Sequence, residues 1–195
     1  MPEIAPEIAA DGDLTIRAMR DDDDDYEPIV RWRSQPHVHE WWEPDHPAPD
    51  LEEVRAFYGP RTRAEDPTTS CIIELEGTPI GYLQFYRWLA WPEEAEMLEV
   101  DADEDTFGID LFIGEAGLIG RGVGTRVVSL IYGHLERDHG ASSVALTTET
   151  TNVRAQRAYE HAGFEKVREV LDTDTRGGRR MRCWLMVRRQ TPGGV

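Results

Sequence analysis

The sequence predicts a single α/β domain, and three observations carry this prediction. First, 195 residues fit one domain and are enough to bury a hydrophobic core without disulfides or metals. Second, strand-like alternation and helical spacing of apolar residues follow one another in the order β-αα-βββ-α-β-α-ββ, with no internal repeat and no interdomain linker. Third, a strand-like run at 107–113 leads through a glycine-rich turn into an amphipathic helix.

The N-terminal half is predicted to begin with a loose tail, because residues 1–12 show no periodicity. Pro36 is expected to stop the first helix, and Asp50 to cap the second. The predicted elements of this half are a strand over 14–19, a helix from about Asp24 to Ser34, a helix from about Asp50 to Arg63, and strands over 70–75 and 80–88 joined by the turn Glu76-Gly77-Thr78-Pro79.

Glycine and asparagine mark the helix ends of the C-terminal half. Gly140 and Gly163 end two helices, and Asn152 caps the second of them. The predicted elements are a strand over 107–113, a helix from the glycine-rich turn to Gly140, a strand over 144–147, a helix from Asn152 to Ala162, and strands over 164–171 and 180–188 around the turn Asp174-Thr175-Arg176-Gly177-Gly178. Residues 13–189 thus form the predicted domain, followed by a tail at 190–195.

The formal net charge of −17 argues against a nucleic acid or an anionic membrane as partner, because phosphate attraction is the main source of such binding. No apolar run approaches the ~20 residues of a membrane span, and the N-terminus lacks a signal-peptide pattern. Cys71 and Cys183 lie in separate strand-like runs, as expected of buried thiols in a reducing compartment. We therefore expect a cytoplasmic protein, either a monomer or a homodimer.

The acidic residues are unevenly distributed. Residues 91–110 contain nine acidic side chains and no Lys or Arg. This run is either a solubilising loop or an acidic wall that attracts a polycationic ligand. The run Asp21–Asp25 is interpreted as a solvated loop that also begins a helix favourably.

The most informative local motif is the turn Gly120-Arg121-Gly122-Val123-Gly124. Glycines on alternate positions leave the backbone bare where a helix begins, so several N–H groups and the positive end of the helix dipole can converge on a phosphate. No Lys-Ser/Thr follows, which excludes a nucleotide-triphosphate loop, and the spacing is not the Gly-x-Gly-x-x-Gly of dinucleotide-binding folds. Taken alone, the turn is equally compatible with a tight strand-to-helix connection.

Three segments resemble the GNAT superfamily of acetyl-coenzyme A-dependent N-acetyltransferases. They are the glycine-rich turn, similar to the family's pyrophosphate-binding turn, the run Asn152–Phe164, which matches Asn-x-x-Ala-x-x-x-Tyr-Glu-x-x-Gly-Phe, and Gly77-Thr78-Pro79-Ile80-Gly81-Tyr82, similar to its central hairpin. The resemblance covers roughly residues 13–189 and implies the GNAT fold, a mixed central sheet of about seven strands flanked by about four helices. One departure is Ile119, at a place where the family often has Gln or Arg.

Further segments resemble the aminoglycoside 6'-N-acetyltransferases. These are Val38-His39-Glu40-Trp41-Trp42, Gly81-Tyr82-Leu83-Gln84-Phe85-Tyr86 and Gly108-Ile109-Asp110. The resemblance implies acetyl transfer from acetyl-coenzyme A to the 6'-amine of an aminoglycoside, by direct attack in a ternary complex, and hence antibiotic resistance. Siderophore-precursor and lysine N-acetyltransferases share much of the same framework.

The resemblance places acetyl-coenzyme A between the glycine-rich turn and the helix after Asn152. Asn152 is expected to contact the pantetheine arm, and Arg121 and Arg126 either reach the nucleotide end or are ordinary surface arginines. The cofactor-binding residues expected on this basis are Ile113, Ile119, Gly120, Arg121, Gly122, Val123, Gly124, Thr125, Asn152, Ala155 and Tyr159.

Two side chains are candidates for proton transfer. Tyr159 lies about two helical turns after Asn152, and its phenol, with an ordinary pKa of about 10, is expected to protonate the leaving thiolate. The alternative is a core aromatic. Asp110 is a carboxylate in an apolar strand, a costly placement without a charged partner. It is expected to bind the amine and help to remove its proton, directly or through a water relay, and pairing with a nearby Arg is the alternative.

The remaining candidates form an aromatic and acidic set that suits a cationic, carbohydrate-like ligand, although each aromatic can equally belong to the core. The predicted substrate-binding residues are Trp41, Trp42, Tyr58, Gln84, Tyr86, Glu94, Asp110 and Glu149. His37, His39 and His46 lack a cysteine partner and a fixed ligand spacing, so no metal is expected.

Three functions stay open at this point. They are an aminoglycoside 6'-N-acetyltransferase, an N-acetyltransferase for a small amine such as a lysine-derived siderophore precursor, and a non-catalytic coenzyme A-binding sensor. The acidic segment and the Glu-Trp-Trp loop favour the first. The second would need fewer acids and a more apolar lining, and Asp110 and Tyr159 count against the third.

Overall fold

The computed structural model describes residues 5–173 and 179–190. The strands in these ranges are β1 (Glu7–Asp11), β2 (Leu14–Ala18), β3 (Thr69–Leu75), β4 (Thr78–Arg87), β5 (Thr106–Ile113), β6 (Ser143–Glu149), β7 (Glu165–Thr173) and β8 (Arg180–Arg189). The helices are α1 (Asp23–Arg33), α2 (Pro36–His39), α3 (Leu51–Thr62), α4 (Pro92–Met97), α5 (Val123–His139) and α6 (Val153–His161), with short 3-10 turns at Trp88–Ala90 and Ala116–Leu118. The predicted turn at 174–178 and residues 191–195 of the predicted tail lie outside the described residues.

These strands form one mixed sheet in the order β1-β2-β3-β4-β5-β6-β8-β7. Neighbouring strands are antiparallel except β5 and β6, which run parallel. The predicted α/β fold with a mixed sheet is confirmed. Within the described residues the sheet has eight strands, one more than the seven predicted.

The additional strand is β1, so the loose tail predicted for residues 1–12 is wrong for Glu7–Asp11. This segment pairs antiparallel with β2, from Glu7 opposite Arg17 to Asp11 opposite Leu14. Ala9 is buried, and the neighbouring Ile8 packs against the core. The segment shows no alternation because it is short and poor in β-branched residues. Its order comes from pairing with β2 rather than from its own pattern.

The four predicted helices are present as α1, α3, α5 and α6, and their ends follow the predicted caps. Asp50 and Glu53 form a capping box at the start of α3. Asn152 accepts a hydrogen bond from the Ala155 N–H at the start of α6. Gly140 ends α5 with a φ of 70°. Local sequence therefore fixes these ends to within one or two residues.

The acidic segment is not a loop throughout, because it contains the short helix α4. Pro92 occupies its first position, where a missing N–H costs nothing. Ala95 and Leu98 are buried in the same cluster as Trp88. The Trp88 indole N–H donates to the Ala145 carbonyl of β6 at 3.0 Å. This segment therefore covers the C-terminal half of one sheet face.

The two faces of the sheet are covered differently. One face packs against α5, whose Val127 and Ile131 are fully buried. The other face is covered by α1 and α3 over its N-terminal half, with Trp32 and Tyr58 in the core. Between α3 and α4 this second face stays open above β4 and β5. The site lies there.

Strands β5 and β6 pair only at their beginnings, from Thr106 opposite Ser143 to Gly108 opposite Ala145. Beyond these residues β5 continues to Ile113 without a partner on this side, although β4 pairs with it along its other edge. The two strands therefore diverge and leave a gap in the sheet. The N-termini of α5 and α6 lie at this gap.

Both cysteines, Cys71 and Cys183, are free and buried. Among the described helices, none has the length and apolar character needed to cross a membrane.

Candidate active site

A cavity of about 1240 Å³ extends from the gap between β5 and β6 across the open sheet face to α4. Most residues that the sequence predicts for the site line it. These are Trp41, Trp42, Gln84, Tyr86, Glu94, Asp110, Ile113, Ile119, Gly120, Gly122, Gly124, Thr125, Glu149, Asn152, Ala155 and Tyr159. Segments far apart in the sequence are thus brought together around one space.

Tyr58 does not line this cavity. Its ring is completely buried and packs edge-on against Phe57 and Tyr82, with ring centroids 4.9 and 5.0 Å apart. The predicted direct contact with a substrate is therefore wrong for Tyr58, because helical spacing alone did not show that this face of α3 points into the core. Tyr58 instead supports the wall of the cavity from behind.

Three residues near the glycine-rich turn also lie outside the lining. The Val123 side chain is buried in the core, so only its backbone can face a ligand. Arg121 is exposed outside the cavity. Arg126 donates to the Asp13 carboxylate at 2.6 Å and so binds the turn between β1 and β2. Of the two alternatives stated for Arg126, this ion pair favours an ordinary surface arginine over a contact with the nucleotide.

The glycine-rich turn presents a set of open backbone donors, here called the glycine cradle. The N–H groups of residues 120 and 122–125 donate to no backbone acceptor in the described ranges. Gly120 and Gly122 have φ angles of 77° and 79°, which residues with a Cβ atom rarely adopt. Both glycines lie directly before α5, a 17-residue helix whose N-cap residue is Gly122. This cradle fits a pyrophosphate group, because free N–H groups and the helix dipole act at the same point.

The edge of β5 that faces the gap supplies further backbone groups. The Gly114 N–H donates to the Ile80 carbonyl of β4 at 2.8 Å. Since successive residues of a strand direct their backbone groups to opposite sides, those of Leu111 and Ile113 face the gap. The His37 imidazole lies 3.2 Å from the Ile113 carbonyl oxygen. The N–H groups along this edge are available to polarise a carbonyl oxygen.

Helix α6 contributes two polar groups to the gap. The side-chain oxygen Oδ1 of Asn152 caps the helix by accepting from the Ala155 N–H, which leaves the side-chain N–H₂ group for a ligand. The Tyr159 ring packs near Phe164, and its hydroxyl makes no hydrogen bond to any described residue. Burial, with a smaller effect of the Asp110 charge, raises the pKa of Tyr159. The phenol is therefore protonated at neutral pH and can act as a proton donor.

Asp110 lines the cavity from β5, opposite Gln84 on the neighbouring strand β4. The Gln84 amide N–H donates to its carboxylate at 2.9 Å. Burial raises the pKa of Asp110, opposed by the Gln84 hydrogen bond, and the nearby Asp172 charge raises it further. Such a carboxylate is both a cation ligand and a better proton acceptor than an ordinary exposed aspartate.

Tyr86 lies beside Asp110 because residue 108 is glycine. A Cβ atom at Gly108 would lie 2.4 Å from the Tyr86 ring, so any other residue would displace it. Burial, followed by the charges of Asp110 and Asp172, raises the pKa of Tyr86 well above its usual value. Its phenol thus stays neutral next to the carboxylates.

The sequence did not indicate two charged residues of the cavity, Asp172 and Arg61. Asp172 accepts hydrogen bonds from the Thr147 hydroxyl at 2.8 Å and from the Thr173 N–H at 2.7 Å. Burial raises its pKa. Arg61 of α3 donates to the side-chain oxygen Oε1 of Gln84 at 2.8 Å. The only sequence signal was a charged residue in an otherwise ordinary strand or helix end, which is too common to single out a site.

The end of the cavity opposite the glycine cradle is acidic. Four lining carboxylates make no ion pair within the described residues, and they define what is here called the acidic end: Glu93, Glu94, Asp110 and Asp172. Glu149 also lines the cavity but lies 3.2 Å from the Arg179 guanidinium. Of the predicted acidic wall at 91–110, only Glu93, Glu94 and Asp110 face the cavity. The acidic end can hold a ligand with several positive charges.

A cradle for pyrophosphate, a gap beside open backbone groups and a buried carboxylate define an N-acetyltransferase of the GNAT type. The chain belongs to this family, since the acetyltransferase (GNAT) domain matches residues 21–171. It is an acetyl-coenzyme A-dependent N-acetyltransferase with the GNAT fold.

Its relatives in this family point to a narrower class. The chain is 32% identical over 165 residues to aminoglycoside N(6')-acetyltransferase type 1 of Klebsiella pneumoniae, across 83% of this chain and 78% of that protein. Aminoglycoside acetyltransferase AAC(6')-Ib in complex with coenzyme A and kanamycin matches it with a TM-score of 0.74 at 30% identity, over 91% of this chain and 95% of that one. The complex of AAC(6')-Ib with ribostamycin and coenzyme A gives 0.77 at 30% identity, over 92% and 94%.

Proposed function

We propose that this enzyme transfers the acetyl group of acetyl-coenzyme A to the 6'-amine of aminoglycoside antibiotics and thereby gives antibiotic resistance. The relatives are aminoglycoside N(6')-acetyltransferases, and AAC(6')-Ib binds kanamycin or ribostamycin together with coenzyme A. The observation in this chain that carries the proposal is the acidic end of the cavity.

An aminoglycoside carries several ammonium groups, whereas a lysine-like acceptor presents a single reactive amine. One ammonium group needs one carboxylate, and Asp110 alone would satisfy it. The unpaired Glu94 and Asp172 are accounted for when further ammonium groups bind beside the reactive one. Each pair in a partly closed site contributes on the order of 1 kcal/mol. The acidic end therefore favours a polycation over a small amine.

The other end of the cavity accounts for the acetyl donor. The glycine cradle binds the pyrophosphate of acetyl-coenzyme A, and Asn152 contacts its pantetheine arm. The thioester then lies in the gap, where the backbone N–H groups of Leu111 and Ile113 polarise its carbonyl oxygen. In this proposal the thioester carbon lies between Asp110 and Tyr159, and the proposal is supported by both residues lining the same cavity.

Asp110 and Tyr159 have complementary roles in the proposed reaction. Asp110 binds the protonated 6'-amine and accepts its proton, directly or through one water molecule. The neutral nitrogen attacks the thioester carbon, so that a C–N bond forms as the C–S bond breaks. The Tyr159 hydroxyl donates its proton to the leaving sulfur, which leaves as the free thiol. The nitrogen then loses its second proton, which restores the Tyr159 phenol directly or through water. Both substrates are bound when this direct transfer occurs.

The test is thiol release from acetyl-coenzyme A with kanamycin as acceptor. We expect release with kanamycin and none with the matched drug in which a hydroxyl replaces the 6'-amine. Added salt should raise the KM for the drug steeply, because a polycation loses its attraction to the acidic end through screening. Binding of acetyl-coenzyme A without thiol release from kanamycin would contradict the proposal and would direct attention to lysine-like acceptors.

A further inference from the structure

Arg61 is a cation among the carboxylates of the cavity, and the proposed reaction leaves it without a role. Its side chain is 11% exposed. The guanidinium carbon lies 4.1 Å from the centre of the Phe57 ring, and Nη1 donates to Oε1 of Gln84 at 2.8 Å. A cation here would repel an ammonium ligand, so its presence needs a reason.

Gln84 connects Arg61 to Asp110. Its Oε1 atom accepts from Arg61 and also from the Tyr82 hydroxyl at 2.9 Å. Its Nε2 atom donates to Oδ2 of Asp110 at 2.9 Å. The Tyr82 hydroxyl lies 2.8 Å from the Ser70 hydroxyl. These contacts form one continuous series of hydrogen bonds that ends at Asp110.

Apart from Asp110, which can only accept while it is ionised, a single partner of Gln84 fixes the direction of its amide. The hydroxyls of Tyr82 and Ser70 can each donate or accept, so both can reverse together. Once Asp110 is protonated, reversal of these hydrogen bonds would permit the Gln84 amide to turn by half a rotation and accept from Asp110 through Oε1. Arg61 prevents this rotation, because a guanidinium carries donors and no acceptor. Its contact with Gln84 requires an oxygen.

We propose that Arg61 is a positioning residue for acetyl transfer, which holds the Gln84 amide with its N–H group toward Asp110 and thereby keeps that carboxylate ionised and oriented. This inference rests on the proposed function, since it concerns the carboxylate that receives the amine proton. A turned amide would place an oxygen against the carboxylate, which favours protonated Asp110.

The charged and titratable groups around Asp110 act in both directions. Burial and the Asp172 charge raise the pKa of Asp110, while the Gln84 hydrogen bond, the Arg61 charge and a hydrogen bond from Tyr86 lower it. The cavity lining also includes Glu94, Glu149 and Tyr159. Loss of Arg61 therefore raises the pKa of Asp110, and activity that needs ionised Asp110 should disappear at a higher pH on the acidic side.

The experiment compares pH profiles of kcat/KM for wild type, Arg61→Met and Arg61→Gln with kanamycin as acceptor. Both variants should move the acidic limb upward by about one pH unit, the size expected for losing a hydrogen bond to a charged group. Glutamine keeps a polar side chain but does not fix the direction, so it serves if Arg61→Met folds poorly. Arg61→Lys keeps donors only and should restore most of the wild-type profile.

Two controls separate positioning from packing and from a direct charge effect. Asp66→Asn removes the carboxylate 3.8 Å from the Arg61 guanidinium and leaves the Gln84 contact, so the acidic limb should not move. In a Gln84→Met background, Arg61→Met should add only the smaller shift caused by loss of the Arg61 charge, because the connecting amide is already gone. A full additional shift in that background would overturn the inference, since Arg61 would then act through space.

Carbon-13 NMR titration of the Asp110 carboxyl gives a readout that does not depend on turnover, with Asp110→Asn to assign the signal. We expect the Asp110 midpoint to rise in Arg61→Met and to be restored in Arg61→Lys. An unchanged midpoint would overturn the inference. A wild type that does not acetylate kanamycin would refute the proposed function, while a raised midpoint in Arg61→Met would still support the positioning role.

Discussion

The two ends of the cavity bind charge with different parts of the chain. At the glycine cradle the donors are backbone N–H groups of residues 120 and 122–125, contributed by one short stretch of sequence. At the acidic end the acceptors are side chains from α4, β5 and β7, which are separated by many residues in the sequence. One end is a local motif, and the other exists only in the folded protein.

This difference separates what substitutions should do at each end. The cradle depends on backbone conformation, so it should fail through glycine replacement and affect the acetyl donor. The acidic end depends on charge and burial, so it should fail through neutral isosteric replacement and affect the acceptor amine. Substitutions at the two ends should therefore change different kinetic constants.

The largest effect is expected for Asp110→Asn. The amide can neither accept the amine proton nor neutralise the ammonium group, so kcat/KM for kanamycin should fall by about 10² or more. Affinity for acetyl-coenzyme A, measured by calorimetry, should stay unchanged. Glu96→Gln removes an acid of α4 outside the cavity lining and is the matched control. Full activity of Asp110→Asn would exclude Asp110 from the proton transfer.

Tyr159→Phe should lower kcat by about tenfold or more, because the departing thiolate loses its proton donor. The phenyl ring retains the packing near Phe164. Coenzyme A affinity should therefore change little, as measured by equilibrium titration. A collapse of that affinity with unchanged kcat would instead assign Tyr159 to binding.

Gly122→Ala should raise the KM for acetyl-coenzyme A by about tenfold, because a Cβ atom disfavours the φ of 79° that aims the cradle. The KM for kanamycin should remain near the wild-type value in the same initial-rate experiment. Gly117→Ala is the matched control, since this glycine has open space for a Cβ atom and no positive φ. Equal effects of the two substitutions would argue against a cradle role for residue 122.

The smallest effect is expected for a substitution of Asp172, which tests the contribution of one further carboxylate at the acidic end. Asp172→Asn removes a negative charge that raises the pKa of Asp110, so that pKa should fall. The acidic limb of kcat/KM should therefore move to lower pH, by a few tenths of a unit on the order of weak charge coupling. The KM for kanamycin should rise about threefold through loss of one ammonium contact. A limb that moves to higher pH would contradict the sign of this coupling.

The fold could be predicted largely from the sequence because its signals are local. The caps at Asp50 and Asn152 and the strand-like apolar runs of β3 to β5 depend on neighbouring residues only. The strand β1 escaped prediction because it is ordered by β2. Its own five residues carry no pattern.

The site divides in the same way. Asp110 was predicted because a charged residue in an apolar strand stands out locally. Asp172 and Arg61 were not, since their importance depends on distant partners, Thr147 and Gln84. Tyr58 was assigned to the wall because an amphipathic pattern does not distinguish a residue that lines a cavity from one that packs behind it.

Because β5 and β6 pair over a short stretch only, the sheet consists of two parts that are connected by few hydrogen bonds. Three residue pairs, from Thr106–Ser143 to Gly108–Ala145, join the two parts within the sheet. The Trp88 indole adds a hydrogen bond to Ala145. A ligand that hydrogen-bonds to both edges of the gap would replace the backbone hydrogen bonds that β5 and β6 do not make with each other. We expect coenzyme A to slow amide exchange in residues 146–149 more than at the outer strands, a pattern that hydrogen-exchange mass spectrometry can resolve. The acetyl donor would then serve as part of the architecture as well as a reactant.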